Sequence, residues 1–434
     1  MRQIIINIFI FNLCVAPVVA QSYTSYITGD SANVDVTPTR GIVLAGGATD
    51  NDNAMQWMLE RANGGDVLVL RASGADGYND YFFAELGVNV NSVETIVCSN
   101  AASGSDPYVL QRIAEAECIF FAGGNQSNYI NFWLDTPVET ALNDFILTKN
   151  GVIGGTSAGM AILGSHIFTA QNGTVTSNNA LNNPFGLSVT MSHDDFLAVP
   201  FLQNVVTDTH YDNPDRRGRQ MTFMAQMSYV GCSQPLGIAC NEYVAVAIDA
   251  NGMAYCFGEY PQYQEYVYFL RQGCESPSNP EVMEPLQALT WNRNQSALKV
   301  YRANARLDGS STFNLNDWIS TSGDGQWQNW YVDNGIFNVS EDMQAPDCIV
   351  TGIVEEEVSN VGVPWIFNNS ELFVRQEEAG SLYVFDMSGR QMGSWSCVKG
   401  ENWIKLSHLA SGVYAVDMRN AKGQRIGLGR INKL

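Results

Sequence analysis

The chain has 434 residues and a formal net charge of −21 at pH 7, a length that suggests two or three domains with ample room for a buried core. The acidic balance argues against nucleic acid as a partner, because that binding depends on clustered Lys and Arg side chains. Four histidines without an HExxH or paired CxxC motif disfavour a dedicated transition-metal site. No cofactor is expected.

The first twenty residues have the pattern of a secretory signal peptide. Arg2 is followed by an apolar run over residues 4–15 and by small residues ahead of Gln21, where we expect cleavage. No later stretch approaches the roughly 20 consecutive apolar residues of a transmembrane helix. The sequence therefore predicts an exported chain with a signal peptide over residues 1–20 and no membrane span.

The region that follows alternates short apolar runs with helical periodicity. We predict strands at residues 41–47, 66–71, 93–98 and 118–122, a fifth strand from residue 151, and helices at 53–62, 107–116 and 136–148. This alternation indicates βαβ units and therefore an α/β fold with a mostly parallel sheet. Sites in such sheets lie beyond the carboxyl ends of the strands, where this sequence has Gly46-Gly47, Gly123-Gly-Asn-Gln126 and Ser157.

The fifth strand ends in a glycine-rich stretch that fits the G-x-S-x-G pattern, Gly155-Thr-Ser-Ala-Gly159. In that pattern a tight turn between strand and helix exposes the serine hydroxyl to substrate. A phosphate-binding loop is excluded, because Met160 and Ala161 stand where that motif requires lysine and a hydroxyl residue. Ser157 is therefore the candidate nucleophile.

A serine nucleophile needs a general base, and His210 is the best candidate. An apolar run over residues 201–206 predicts a strand that delivers His210 to the same sheet edge. His166 follows Ser157 too closely to fold back on it, and His408 lies in the C-terminal tail. His193 stays as the weaker alternative, since its surroundings are typical of a surface loop.

Three motifs in this order resemble the cyanophycinase/dipeptidase E family of serine peptidases: Phe121-Ala-Gly-Gly-Asn-Gln126, Gly155-Thr-Ser-Ala-Gly159, and Asp208-x-His210 with Arg216-x-Gly-Arg219. The resemblance covers about residues 40–275 and implies a sheet like that of class I glutamine amidotransferases, with helices on both faces. It implies Ser157 as nucleophile and His210 as general base. The same resemblance implies backbone N–H donors at Gly124 and Ala158 for the oxyanion, and substrate contacts from Gln126, Asp208, Arg216 and Arg219.

The chain departs from the family's pattern at several positions. Pro214 replaces an extra arginine of cyanophycinases, and Thr209 stands where glutamine is common. The triad acid of the family aligns with Asn179, which carries no charge, so Asp194, Asp195 and Asp208 are alternatives. Cyanophycinases cleave a β-aspartyl-arginine polymer and other members cleave after an N-terminal aspartate. The resemblance implies a peptide substrate, with an aspartyl carboxylate near the arginines.

The sequence pattern changes after about residue 285. Short strands are predicted at residues 298–302, 312–315 and 327–332, and again at 381–386, 403–406 and 412–417. The motifs Leu382-Tyr-Val-Phe-Asp-Met-Ser-Gly-Arg390 and Leu406-Ser-His-Leu-Ala-Ser-Gly-Val-Tyr414, with residues 429–433, resemble the C-terminal sorting domain of the type IX secretion system. That resemblance implies the secretion machinery as a partner and a secreted or cell-surface location. A small carbohydrate-binding β-sandwich is the alternative.

We therefore expect a signal peptide (1–20), a peptidase domain (21–285), a β-rich extension (286–350) and a β-sandwich sorting domain (351–434). Eight cysteines remain after the signal, and local disulfides are plausible at Cys98–Cys118, Cys232–Cys240 and Cys256–Cys274, although sequence does not fix the pairing. The predicted function is that of an exported serine peptidase. The alternatives are a catalytically impaired surface binding protein on the same scaffold and an α/β-hydrolase esterase, which would normally place its histidine later.

Overall fold

The computed structural model describes residues 21–194, 196–275, 277–348, 365–367, 371–376, 379–386, 391–406, 409, 412–422 and 425–433. The chain divides into two compact units, residues 1–350 and 351–434. The predicted signal peptide, Asp195 and His408 lie outside the described residues. None of the described helices is both long and apolar enough to cross a membrane.

The first unit is built from strands and short helices that alternate through its first half. Its strands are β1 (Tyr23–Gly29), β2 (Gly41–Ala45), β3 (Asp66–Arg71), β4 (Ser92–Cys98), β5 (Cys118–Phe121), β6 (Val152–Thr156), β7 (His166–Phe168), β8 (Met191–His193), β9 (Val205–Asp208), β10 (Leu236–Cys240), β11 (Ala245–Asp249), β12 (Met253–Phe257), β13 (Tyr266–Gln272), β14 (Leu298–Asn304), β15 (Ser311–Asn314), β16 (Thr321–Ser322), β17 (Gln326–Asp333) and β18 (Ile336–Met343). Its helices are α1 (Asp52–Glu60), α2 (Pro107–Glu115), α3 (Gln126–Trp133), α4 (Pro137–Asp144), α5 (Ala158–Ala161), α6 (Ser177–Asn182) and α7 (Arg217–Tyr229), with short helical turns at Tyr81–Glu85, Ala101–Ser105 and Phe145–Lys149. The five strands and three helices predicted before residue 157 are all confirmed, with small shifts of their ends.

The first sheet has ten strands in the order β1-β4-β3-β5-β6-β2-β11-β12-β15-β16. Strands β4, β3, β5, β6 and β2 are parallel. Strand β1 and strands β11 to β16 add to the two sides in antiparallel pairs. Because the five parallel strands run in the same direction, the carboxyl ends of β2, β5 and β6 lie at the same edge of the sheet.

The second sheet has eight strands in the order β18-β17-β14-β13-β10-β9-β7-β8. Strand β9 is parallel to β10 and to β7, and the other pairs are antiparallel. The prediction of one mostly parallel sheet is therefore wrong, because the fold has two mixed sheets. The antiparallel pairs arise mainly after residue 240, where short turns such as Ala250-Asn251-Gly252 join neighbouring strands, and also at β1 and β8.

Helices cover both faces of the first sheet. Alternate residues of a strand face opposite sides. Val43 packs in one cluster with Met55 and Met58 of α1, whereas its neighbour Ile42 packs in another with Ile113 of α2 and Trp133 of α3. This part of the predicted architecture, helices on both sides of a central parallel layer, is confirmed.

The expected extension over residues 286–350 does not form a layer of its own. Strand β14 pairs with β13, and β15 pairs with β12, so the extension lengthens both sheets of the preceding region. Its predicted strands at 298–302, 312–315 and 327–332 are present. Residues 286–350 accordingly belong to the first compact unit, together with the residues that precede them.

The second unit is all-β in its described residues. One sheet joins β19 (Trp365–Phe367), β20 (Glu371–Gln376) and β23 (Gly400–Lys405), and the other joins β21 (Gly380–Asp386), β22 (Gln391–Cys397), β24 (Gly412–Asn420) and β25 (Arg425–Lys433). Apolar side chains of both sheets, Leu372, Leu382, Ile404 and Val416 among them, form one buried cluster. A small two-sheet β-domain is what both interpretations of the tail predict, so the strands alone do not separate a sorting domain from a carbohydrate-binding module.

The disulfide pattern differs from the local pairs that the sequence suggested. Cys274 bonds Cys348 across 74 positions of sequence. Five other cysteines of the first unit, Cys98, Cys118, Cys232, Cys240 and Cys256, are free thiols. Closeness in sequence did not predict the disulfide. Cys274 lies just beyond β13 and Cys348 follows β18, and the second sheet brings these two segments together although they are far apart in sequence.

Candidate active site

The candidate nucleophile lies at the sharp turn between β6 and α5. Strand β6 ends at Thr156, and α5 begins at Ala158, so Ser157 alone makes the turn. Its φ of 53° and ψ of −116° are a strained combination for a residue with a side chain. The backbone N–H of Ser157 donates to Ala45 O at 3.0 Å, which ties the turn to the end of the neighbouring strand β2.

The glycines on either side of Ser157 are required by close packing. A Cβ atom on Gly155 would overlap the backbone of Gly159, and one on Gly159 would overlap the backbone carbonyl of Phe121 at the end of β5. The turn therefore fits against β5 only because these two positions lack side chains. This close approach explains why the sequence surrounds its serine with glycine.

Strand β9 carries His210 to the serine. The strand ends at Asp208, and the backbone N–H of His210 donates to Gly46 O at 2.7 Å, in the loop that follows β2. The side chains of Ser157 and His210 meet, with Oγ and Nε2 2.8 Å apart. The alternative base, His193, pairs instead with His166, their Nδ1 atoms 2.8 Å apart.

The opposite nitrogen of the imidazole contacts Glu242, a residue that the sequence analysis did not consider. His210 Nδ1 lies 2.7 Å from Glu242 Oε1. An ionised carboxylate can only accept hydrogen bonds, so Nδ1 carries the proton and Nε2 is left to accept from the serine hydroxyl. This is the arrangement that a nucleophile, a base and an orienting acid adopt in serine hydrolases.

Two neighbours hold Glu242 in place. Asn213 Nδ2 donates to Glu242 Oε2 at 3.1 Å, and the backbone N–H of Glu242 donates to Asp212 Oδ1 at 2.9 Å. Burial acts to raise the pKa of Glu242, but the hydrogen bonds from His210 and Asn213 and the charges of His210 and Arg216 outweigh it. The pKa of Glu242 consequently lies below its ordinary value, so the carboxyl group is ionised at neutral pH.

The acids considered from the sequence have other partners. Asp208 pairs with Arg219, and Asp194 lies 3.7 Å from His166 Nε2. Asn179 is on the first turn of α6, where its backbone N–H donates to Thr176 Oγ1; Asp195 is outside the described residues. The sequence contained a signal for Glu242. The apolar run of β10 is followed by the polar residues Asn241 and Glu242, in the same way that His210 follows shortly after the end of β9.

A pocket of about 230 Å³ opens beside the serine. Its lining includes all eight site residues predicted from the sequence: Ser157, His210, Gly124, Ala158, Gln126, Asp208, Arg216 and Arg219. Ala158 is the first residue of α5, so its N–H has no acceptor within the helix. Gly123, next to Gly124, is close enough that a Cβ atom there would lie 3.5 Å from Ser157 Cβ. The loop after β5 thus brings the backbone of residues 123 and 124 to the serine, where oxyanion donors are needed.

The two arginines of the pocket differ in how their charge is balanced. Arg219 Nε donates to Asp208 Oδ2 at 2.8 Å, and its Nη2 contacts the other oxygen. Both side chains are almost completely buried. Arg216 Nη1 donates to the carbonyl oxygen of Thr209 at 3.0 Å. Its guanidinium has no carboxylate within ion-pair distance among the described residues.

The surroundings of Arg216 make it the cation that an anionic ligand would meet. Burial and the nearby Arg219 lower its pKa from the usual arginine value, although arginine still keeps its proton at any physiological pH. Gln126 contributes a neutral polar group to the lining of the pocket, and its Nε2 donates to Phe168 O at 3.2 Å. The site can therefore combine nucleophilic attack at a carbonyl with the binding of one carboxylate. Within the described ranges, no three His, Cys, Asp or Glu side chains are arranged to hold a metal ion.

Comparison with known proteins finds similar proteins for the region that carries this site. Residues 75–250 match the model described as Peptidase family S51. Cyanophycinases from Synechococcus elongatus and from Thermosynechococcus vestitus (strain NIES-2133 / IAM M-273 / BP-1) are each 25% identical over 226 residues, which is 49% of this chain and 64% of the relative. The cyanophycinase of Geminocystis herdmanii (strain PCC 6308) is 23% identical over 197 residues, 42% of this chain and 66% of the relative. The chain thus spans slightly less than two thirds of these relatives.

Two solved structures are also similar. A peptidase from an acI-B1 Actinobacterium has a TM-score of 0.39 and 11% identity, covering 54% of this chain and 91% of that one. A putative peptidase E protein from Listeria monocytogenes EGD-e has a TM-score of 0.33 and 15% identity, covering 50% of this chain and 98% of that one.

The region that matches the family model includes Ser157, His210 and Glu242.

Proposed function

We propose that this chain, whose region 75–250 matches the model of peptidase family S51, is an exported serine peptidase that cleaves peptide or isopeptide bonds at aspartyl residues through an acyl-enzyme. The observation that carries the proposal is the contact chain from Ser157 Oγ to His210 Nε2 at 2.8 Å and from His210 Nδ1 to Glu242 Oε1 at 2.7 Å. This chain of contacts lies at the pocket described above, where a substrate carbonyl can approach the serine.

The reaction begins with attack of the Ser157 oxygen on the substrate carbonyl carbon, while the hydroxyl proton passes to His210 Nε2. The N–H groups of Gly124 and Ala158 stabilise the negative oxygen of the tetrahedral intermediate. As the intermediate collapses, the imidazolium gives its proton to the departing amine nitrogen and the C–N bond breaks. Glu242 stabilises the imidazolium charge during these steps.

A water molecule then completes the cycle. His210 takes a proton from the water, whose oxygen attacks the acyl carbonyl carbon, and the second tetrahedral intermediate expels Ser157 Oγ as it regains a proton from the imidazolium. The products are a free carboxylic acid and the resting enzyme. No oxidation or reduction occurs, and no cofactor is required by this sequence of steps.

Specificity for an acidic substrate follows from the charge balance of the pocket. Asp208 already neutralises Arg219, which leaves Arg216 as the cation available to a substrate carboxylate. A charge-assisted hydrogen bond of this kind contributes about 1.5–3 kcal/mol. The relatives are named cyanophycinases, but Pro214 and Thr209 replace residues that mark those enzymes. We therefore propose aspartyl peptides rather than cyanophycin as the substrate.

A panel of substrates tests the proposal. The purified protein is assayed with peptides that contain α-aspartyl, β-aspartyl or asparaginyl residues, and with cyanophycin. We expect turnover of an aspartyl peptide that is lost in Ser157→Ala. Arg216→Gln should lower kcat/KM for that peptide by about 10- to 100-fold, whereas Arg217→Gln, which removes a half-buried neighbour paired with Asp215, should not. Failure of the wild-type protein to turn over any of the peptides would contradict the proposal.

Export is part of the same proposal and is supported by the sequence at both ends of the chain. The signal-peptide pattern predicts a mature N-terminus at Gln21, and the tail motifs resemble those of a type IX sorting domain. Fractionation of the native cells should find the protein at the surface or in the medium, beginning at Gln21. Deletion of residues 351–434 should retain it in the periplasm, and release of the deleted form would contradict a sorting role.

A further inference from the structure

Arg271 is a buried cation at a place where the strand pattern calls for an apolar side chain. It lies on β13, two and four residues after Phe269 and Val267, which face the same hydrophobic cluster. Because alternate residues of a strand share a face, Arg271 continues this inward row. Its exposed fraction is only 1%.

The positive charge of Arg271 is not neutralised by an acid. Its Nη2 donates to the carbonyl oxygen of Cys348 at 3.0 Å, but Nε and Nη1 are buried and have no hydrogen-bond partner among the described residues. No carboxylate of those residues lies within ion-pair distance of it. Burial lowers the pKa of Arg271 to about 10, and Asp317 opposes this only partly.

The nearest groups cannot supply the missing negative charge. Asp317 accepts hydrogen bonds from the backbone of Ile319 and from Ser320, which commit both of its oxygens to a turn. Directly across the strand pair, Arg271 faces Lys299 on β14. Like charges opposite one another on a sheet repel, so Lys299 adds to the imbalance.

A second pocket of about 230 Å³ lies beside this guanidinium. Among the described residues, Arg271 is the only cation in its lining, which also includes Ser233 and Gln272. The amide of Gln272 donates to Ser228 Oγ and to Ser278 O. Glu275 is at its rim, where it accepts a hydrogen bond from Asn294. A buried charge without a partner is costly, and a negatively charged ligand in this pocket would remove that cost.

We propose that this pocket is a binding site for a small oxyanion, a carboxylate or a phosphate-type ion, that pairs with the guanidinium of Arg271. A planar guanidinium matches the paired oxygens of such an ion. Binding orders the junction of β13 with the disulfide Cys274–Cys348, since Arg271 also contacts Cys348.

The site is separate from the candidate active site and does not depend on the proposed peptidase activity. Strand β10 runs from Leu236, which pairs with Arg271, to Cys240, two residues before Glu242. The five residues of β10 place the two sites on opposite edges of the sheet, roughly 15–20 Å apart.

Thermal unfolding of the full-length protein tests the proposal. Phosphate or acetate is titrated against chloride at constant ionic strength. We expect a saturable rise of a few degrees in Tm at millimolar ligand, because a ligand that binds only the folded state stabilises it. Arg271→Met should lose this rise. Arg216→Gln, which removes the cation of the catalytic pocket, should keep it.

A second variant keeps the proposal testable if Arg271→Met does not fold. Ser233→Glu introduces a carboxylate at an exposed position of the pocket lining. It should raise Tm in chloride and abolish the response to phosphate and acetate. General salting effects of phosphate act on every variant alike, so they cancel in the comparison. The proposal is overturned if the Tm of the wild type does not respond to phosphate and acetate, or if Ser233→Glu responds as the wild type does. The relative response to the two ligands identifies which oxyanion is preferred.

Discussion

The carboxylate of Glu242 is held at two points, by Asn213 on one oxygen and by His210 on the other. Its lowered pKa keeps it charged when the imidazole takes up a proton. A charged acid in this position stabilises the imidazolium, whereas a neutral amide does not. The impaired-scaffold alternative was motivated by the neutral Asn179 and by the arginine that Pro214 replaces, and Glu242 removes the first of these two motives.

Replacement of Glu242 by glutamine tests this role. Glu242→Gln keeps the size of the side chain but can stabilise the wrong tautomer of His210, so kcat should fall by about 10²- to 10⁴-fold with a small change in KM. Glu259→Gln changes an exposed carboxylate outside the site and should leave kcat unchanged. Steady-state kinetics on the best aspartyl peptide gives the result. Equal activity of Glu242→Gln and the wild type would refute the assignment.

The position of His210 also depends on a glycine. Gly47 has a φ of +106°, and a Cβ atom there would overlap the imidazole ring of His210. Gly47→Ala should displace the ring and lower kcat/KM by about 10²-fold or more. Gly64→Ala is a matched control, because Gly64 has a φ of +81° but open space around it. Its backbone strain should cost stability alone, so similar losses of activity in both variants would count against the contact.

Sequence reasoning found Ser157 and His210 because each has a local signal, a glycine turn in one case and the end of an apolar run in the other. Glu242 was missed for a physical reason. Its closeness to His210 depends on β9 and β10 lying side by side in parallel, which no local pattern of residues specifies. The acids considered from the sequence all precede His210, whereas Glu242, which contacts His210 Nδ1, follows it.

At the scale of elements, the loop that follows β2 links several parts of the site. Gly46 O accepts from the backbone of His210, and Asp50 at the end of the loop accepts from Tyr78 OH at 2.6 Å. Burial raises the pKa of Asp50, with a further contribution from Asp52, and the hydrogen bond from Tyr78 opposes this only in part. The loop thus carries a buried carboxyl group whose ionisation is unfavourable in the folded state.

Because of Asp50, we expect the stability of the wild type to change with pH relative to that of Asp50→Asn. The unfolded carboxyl ionises near pH 3.9, whereas the folded one ionises at higher pH, so the folded state loses stability as pH rises from about 4 through the folded pKa. Asp50→Asn removes this loss and can still accept from Tyr78. Urea unfolding should show its stability relative to the wild type increasing between pH 4 and pH 8. A difference that is constant over this range would contradict the raised pKa.

The elements themselves were more predictable than their arrangement. Buried parallel strands such as β2 and β5 are continuous apolar runs, so sequence alone identified them. Strand β9 was less well placed, since it begins at Val205 rather than at residue 201. The assembly of two mixed sheets was missed, because strand order depends on long-range pairs such as β12 with β15 and not on the local pattern.

At the scale of the whole molecule, residues 286–348 complete the two sheets of the first unit. Strand β14 pairs with β13 along seven residues, and the disulfide Cys274–Cys348 closes a long loop around β14 to β18. The domain boundary expected at residue 285 was plausible from the change in composition. Composition, however, does not report hydrogen bonding between distant strands, and these strands complete both sheets.

Removal of the disulfide should therefore destabilise the first unit. Closing a loop of this length restricts the unfolded chain, and Cys274→Ser with Cys348→Ser should lower the free energy of unfolding by roughly 2–4 kcal/mol. Chemical denaturation of the full-length protein measures the change. Peptide mapping without reduction provides the control, since it should find Cys274 joined to Cys348 and free thiols at Cys98, Cys118, Cys240 and Cys256. A local pair such as Cys98–Cys118 would contradict the disulfide pattern.

The central claim is that Ser157 is a nucleophile activated by His210 and Glu242, and covalent labelling tests it most directly. The purified protein is treated with a fluorophosphonate probe, and the adduct is located by peptide mass spectrometry, with the Synechococcus elongatus cyanophycinase as a positive control. We predict one adduct on Ser157, absent in Ser157→Ala and strongly reduced in His210→Gln. An unlabelled Ser157 under conditions that label the control enzyme would contradict the account and favour a binding protein on a peptidase scaffold.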